Sequence, residues 1–201
     1  MIIWPDKEKI MNEFNLKYVD GRFDKESTNI HEEFNKNKLN ITETLISKFK
    51  EICKKANKLQ EQGLKGKIKF IYISYLRTSL IENTGIWRID LYDEKWFLDK
   101  EECAENIDLT FIYNPLFNHM QELLEKRKEY GRTITEMDIE KIKLIEGDKY
   151  HNLAIKILQN MIENFLECSE YKDMKNHEEL MIFAGEYRDN TVLLYERSTE
   201  K

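Results

Sequence analysis

An α+β fold is predicted, with an antiparallel sheet built from two hairpins, about 67–93 and 179–197, packed against several α-helices. Three observations carry that prediction. Two pairs of β-branched and aromatic runs each flank a short turn, apolar stripes at helical spacing lie between them, and every connection is compatible with antiparallel pairing. At 201 residues the chain is long enough for one buried core. We divide it into a polar N-terminal arm, 1–39, docked on the body, and a single α+β domain, 40–201.

The arm lacks a sustained period and reads as irregular, with at most a short helix after Ser27-Thr28. Its large apolar groups, Trp4, Phe14, Phe23 and Phe34, are expected to dock on the body. From Asn40 the pattern sharpens. Asn40-x-x-Glu43 resembles a capping box, and Ile41, Leu45, Phe49, Ile52, Ala56 and Leu59 then recur at threes and fours until Gly63 stops the helix.

The first hairpin pairs Phe70–Tyr75 and its continuation with Trp87–Tyr92 around Glu82-Asn83-Thr84-Gly85. Setting Glu82 opposite Gly85 puts Leu80, Thr78 and Leu76 opposite Trp87, Ile89 and Leu91 on one face. The other face then pairs Ser79 with Arg88, Arg77 with Asp90 and Tyr75 with Tyr92. A slip of one residue would mix polar and apolar faces and is rejected.

Asp99-x-x-Glu102 predicts a short helix near Cys103, and Ile107–Tyr113 reads as a strand or an extended linker. Asn114-Pro115 predicts a helix start, with Asn as N-cap and Pro where no N–H bond is needed; Leu116, Met120, Leu123 and Leu124 face inward and Gly131 ends the helix. Thr135-x-x-Asp138 starts the next helix, with Ile142, Ile145, Ala154, Ile157, Leu158, Met161, Ile162 and Phe165 inward and Gly147 a candidate break. The last hairpin joins Leu180–Phe183 to Thr191–Tyr195 around Arg188-Asp189-Asn190, and Gly185 marks a bulge or a close backbone contact.

Composition limits function. With 32 basic and 38 acidic residues the net charge is -6, which argues against a generic nucleic-acid binder. Eight lysines between Lys48 and Lys69 form the one basic stretch. It reads as a solvated helix face, with the acidic remainder of a second copy as a possible partner, hence a homodimer. Cys53, Cys103 and Cys168 are too scattered for a disulfide framework or a zinc site and fit reduced thiols in the cytoplasm. Met1–Trp4 is too short an apolar start for a signal peptide, and no run of residues is long enough to be a membrane span.

Two constellations could carry function. Arg77, Arg88, Asp90, Tyr75 and Tyr92, on the polar hairpin face, could hold an anionic or planar ligand through bidentate hydrogen bonds and stacking; the plainer reading is a solvated cross-strand ion pair. Alternatively, His119 and Glu122 on one helix and Asp148 and His151 on the next could bind Zn, Fe or Mn and activate a water for hydrolysis. The plainer reading makes His151 a core histidine with one satisfied hydrogen bond. Gly-x-Ser-x-Gly and His-Glu-x-x-His are absent, and Gly63-Leu64-Lys65-Gly66-Lys67 precedes a strand, so it does not cradle a phosphate. The sequence therefore points to a non-catalytic binding or regulatory protein for a small molecule or a protein partner, without cofactor, nucleic acid or membrane. A metal-assisted hydrolase is the alternative.

Overall fold

A computed structural model describes residues 6–197; Trp4 and the rest of the apolar start lie outside the described residues. The chain enters as α1 (Lys7–Tyr18), α2 (Arg22–Lys36) and α3 (Lys38–Glu61), so residues 7–36 are helical and the expectation of an irregular arm is corrected. Each of the first two helices sinks few large side chains. Phe14 of α1 meets Tyr18 and Tyr130, and Phe23, Ile30 and Phe34 lie along one side of α2, with Ile30 fully buried. So sparse a stripe is hidden among charges, and packing against the body supplies the helix stability that propensity does not. Asp6 caps α1 by accepting the backbone N–H groups of Glu8 and Lys9. In α3 the start falls at Lys38, because Asn40 lies inside the helix and its carbonyl accepts the Thr44 hydroxyl. Gly63 does end α3: at φ +71° it lets the Leu64 and Gly63 N–H groups reach the Leu59 and Gln60 carbonyls.

The sheet has five strands, β1 (Ile68–Tyr75), β2 (Ile86–Tyr92), β3 (Ala104–Asp108), β4 (Asn176–Glu186) and β5 (Thr191–Glu196), in the order β3-β2-β1-β4-β5. The α+β class stands, but the sheet is mixed, because β1 runs parallel to β4 while the other pairs are antiparallel. Two separate hairpins are thus fused along their first strands.

Within the first pair the expected register fails. Residues 77–81 form a short helix, α4 (Arg77–Ile81), in place of the strand continuation, and Tyr75 faces Trp87 where Tyr92 was expected. Asp90 pairs with Tyr72 and Tyr92 with Phe70, an offset of an odd number of residues that moves Tyr75 to the other face. Helix α4 is held by α6 (Glu136–Gln159). Gly147 of α6 lies so close that a Cβ there would come within 2.7 Å of Leu80, which explains a glycine in an unbroken helix where a break was expected.

Asp99 does not cap a helix. Its carboxylate accepts the Lys65 ammonium and the N–H groups of Asp93 and Glu101, tying a loop across the start of β1. The ambiguous segment 107–113 is half strand and half helix: β3 ends at Asp108, whose side chain accepts the Thr110 N–H at the start of α5 (Thr110–Lys126). Pro115 therefore sits inside α5 and leaves the Phe111 carbonyl without an N–H partner at that turn. Thr135 and Asp138 form the capping box at the start of α6. Ile145, expected inward, is exposed. Two short helices, α7 (Ile162–Glu167) and α8 (Ser169–Asp173), lead into β4.

The sheet presents one face to the helices through Ile71, Ile73, Trp87, Ile89, Leu91, Ile182 and Ala184, all buried. Its outer face carries Phe70, Tyr72, Ser74, Arg88, Asp90, Tyr92 and Phe183, with Trp96 and Phe97 of segment 93–99 laid against the tyrosines.

Candidate functional site

A chain of hydrogen bonds crosses the helix-facing side of the sheet. The indole Nε1–H of Trp87 in β2 donates to the Tyr113 hydroxyl of α5 at 3.0 Å, and that hydroxyl lies 2.6 Å from Nδ1 of His151 in α6. The indole offers the phenol only a donor, so among the described residues Nδ1 is the one acceptor for the phenol proton, which assigns the imidazole proton to Nε2. Burial pushes the His151 pKa down to about 4 and that of Tyr113 well above its usual value, so both groups are neutral near pH 7. Tyr75, the last residue of β1, stacks on the imidazole with ring centroids 3.5 Å apart.

Two adjoining hollows share Tyr75, Asp148 and His151. One, of about 320 Å³, runs between α6 and the β4–β5 turn, with Asn152, Ile155, Asn190 and Val192 in its walls. The other, of about 220 Å³, is closed by Arg77, Leu80, Leu144 and Ile145. Gly185 is required at the turn: its φ is +152°, and a Cβ would lie 2.3 Å from the Asn190 carbonyl oxygen. At the rim Glu186 accepts from the Tyr75 hydroxyl and from the Arg77 guanidinium. The Tyr75 pKa rises to about 12, first through burial and then through the Glu186 carboxylate. Asp148 is exposed one helical turn before His151, and among the described residues neither its carboxylate nor Nε2 of His151 has a hydrogen-bond partner.

The groove unites members of both constellations read from the sequence: Tyr75 and Arg77 from the hairpin set, Asp148 and His151 from the metal set. The remaining members lie elsewhere. Arg88 and Asp90 share the outer face, where the guanidinium grips the buried carboxylate at 2.7–2.9 Å and reaches Glu102 at 2.7 Å. Tyr92 on that face packs edge-on against Tyr72 and Phe97. His119 hydrogen-bonds the Tyr18 carbonyl through Nε2 at 2.8 Å, and Glu122 pairs with Arg22. His119 and His151 therefore serve different contacts, and among the described residues no three His, Cys, Asp or Glu side chains are grouped to hold a metal ion.

Sequence reasoning missed Trp87, Tyr113, Asn152, Glu186 and Asn190. Tyr113 was recoverable, since a helix started at Thr110 places Tyr113, Leu116, Phe117 and Met120 on one buried stripe. Glu186 and Asn190 reach Tyr75 only through the parallel pairing, which leaves no local signal. The lysine stretch meets acids of its own chain: Lys48 pairs with Glu51 and Glu105, Lys50 and Lys54 with Glu170, and Lys69 with Glu179, while Lys65 is buried on Asp99. All three cysteines are free and buried. No family model, no curated protein and no solved structure matches the chain, and no helix among the described residues is long and apolar enough to cross a membrane.

Proposed function

We propose that the protein is a non-catalytic binding protein that holds a small amine- or amide-bearing molecule in the groove of Tyr75, Arg77, Asp148 and His151. One observation carries this reading: a histidine fixed in one tautomer from below, with its free N–H donor one helical turn from a free carboxylate acceptor, beside hollows with apolar walls. The Nε2–H donor opens on the groove, so a ligand carbonyl that receives it replaces solvent with a fixed partner. Asp148 then selects an N–H or cationic group next to that carbonyl. The relay also argues against catalysis. Nδ1 is occupied by Tyr113 and Nε2 carries the proton, so the ring cannot take a proton as a general base near pH 7.

Ligand-observed saturation-transfer NMR with nicotinamide and glycinamide, each with a carbonyl and the second also cationic, tests the proposal. Both probes are expected to bind the wild-type chain and to lose at least tenfold in affinity in Asp148→Asn, an exposed change that leaves the fold intact. Equal binding in the variant, or no binding by either probe, overturns it.

A further inference from the structure

We propose a second ligand site, in the cleft between α4, α5 and α6, where Lys143 receives the carboxylate of an aliphatic monoacid. The cleft has a volume of about 480 Å³. Met120, Leu124 and Ile139 give it an apolar floor, exposed Ile81 stands at its edge, and the other lining residues are mostly charged.

The charges on the rim are unequal in their pairing. Arg127 is paired with Glu136 and Lys128 with Glu125, which leaves Lys143 as the cation without a bonded carboxylate. Lys143 is also the most sheltered of the three, at 9% exposure. Its ammonium donates to the Ile81 carbonyl at 3.1 Å and to Asn83 Oδ1 at 3.2 Å, both neutral acceptors. A lysine ammonium has three N–H donors, so one is left over. Burial lowers the Lys143 pKa, and the exposed Glu140 one turn earlier opposes that only through space. A sheltered cation held by neutral oxygens is an unfavourable arrangement that an incoming anion relieves. The Arg127 side chain adds a second unmet donor, since its Nε is shielded from solvent and has no partner among the described residues.

The same surroundings define the anion. Three carboxylates, Glu125, Glu136 and Glu140, line the cleft and repel a dianion such as phosphate, whereas a single carboxylate matches the single uncompensated cation. An aliphatic tail covers the floor, and each methylene it buries adds to the affinity. The groove of His151 lies on the far side of α4, and the two sites share none of these groups.

Isothermal titration of the full chain at low ionic strength with sodium octanoate, and separately with inorganic phosphate, tests the assignment. Octanoate is expected to bind and phosphate not. Lys143→Met should weaken octanoate at least tenfold, with circular dichroism reporting whether the variant folds. Leu124→Glu, which puts a carboxylate on the floor, should do the same. A measurement on the wild type needs no variant: at alkaline pH octanoate binding should take up a proton, seen as a heat that changes with the buffer's ionisation enthalpy. The proposal fails if octanoate binds folded Lys143→Met as well as it binds wild type, if phosphate binds and octanoate does not, if binding proceeds without proton uptake, or if neither anion binds.

Discussion

The two faces of the sheet treat their charged and titratable side chains in opposite ways. On the outer face Arg88 is bonded to Asp90 through two nitrogens and to Glu102 through one of them, so this ion cluster is answered inside the chain. On the helix-facing side the relay from Trp87 through Tyr113 ends at an imidazole N–H that, like Asp148 one turn away, has no partner among the described residues. The outer cluster is thereby a structural device, and the inner one is where the proposed site lies. A hydrogen-bonded ion pair says where a chain is held together, and an unmet donor beside a hollow says where something else can bind.

Breaking the outer face should produce the largest effect. Arg88→Met leaves the Asp90 carboxylate, only 3% exposed as a side chain, without its cation. Removing one partner of a buried pair costs about 3–5 kcal/mol, and urea denaturation should show a loss of that order. A loss below about 1 kcal/mol would mean that Asp90 is not dependent on Arg88 and that the contrast between the faces is overdrawn.

The inner face should show itself through pH. His151 has a folded pKa of about 4, below the ordinary 6.5, because burial disfavours its charged form. The unfolded chain therefore binds more protons than the folded one between those values, and stability contributed by neutral His151 is full above about pH 6.5 and lost as pH falls toward 4. The integrated loss is about 3 kcal/mol. His119, also lowered by burial, adds to it in the same direction, so the comparison should be made against His151→Phe, whose stability should fall less steeply across that window. Parallel curves for the two proteins would show that His151 is not buried as a neutral ring.

Next in size is Tyr113→Phe, which removes one hydroxyl and orphans two buried groups, the Trp87 indole N–H and His151 Nδ1. The expected cost is about 1–3 kcal/mol by chemical denaturation. Freed from Tyr113, Nδ1 no longer fixes the tautomer, so ¹⁵N spectra of the imidazole should change from a single Nε2–H form to a mixture. A single unchanged tautomer would show that Tyr113 does not orient the ring.

What the sequence disclosed follows the range of the interactions involved. Gly63 as a helix stop, Thr135-x-x-Asp138 as a capping box and Gly185 as a close approach are settled by neighbours a few residues away, and each could be read directly. The register of β1 against β2 could not, because Arg77–Ile81 is apolar enough at Leu80 and Ile81 to pass for a strand. Its helix is decided by the contact of Leu80 with Gly147, some seventy residues later. Strand pairing between β1 and β4 is likewise non-local, and with it goes the approach of Glu186 and Asn190 to Tyr75. Of the site, the residues that carry unusual chemistry, His151 and Asp148, were visible from their spacing. Their partners Tyr113 and Trp87 look like ordinary core aromatics until the fold sets them in line.

The smallest effect on stability, and the sharpest on the comparison, belongs to Arg77. Both Arg77 and Arg88 were read as members of one polar face, yet Arg77 stands on α4 with its side chain 68% exposed, and its Glu186 partner, 12% exposed, also holds the Tyr75 hydroxyl. With the guanidinium in solvent the pair contributes about 0–1 kcal/mol, less at high salt. Arg77→Met should therefore denature within about 1 kcal/mol of wild type, against several for Arg88→Met. It does leave Glu186 with only the Tyr75 hydroxyl at the rim, near Asp148, which makes the groove more negative. Glycinamide, a cation that carries a carbonyl, should accordingly bind Arg77→Met more tightly than wild type, while uncharged nicotinamide changes little. If both probes weaken together, Arg77 contacts the ligand itself and the groove is organised around an anion-binding guanidinium instead of the Asp148 carboxylate.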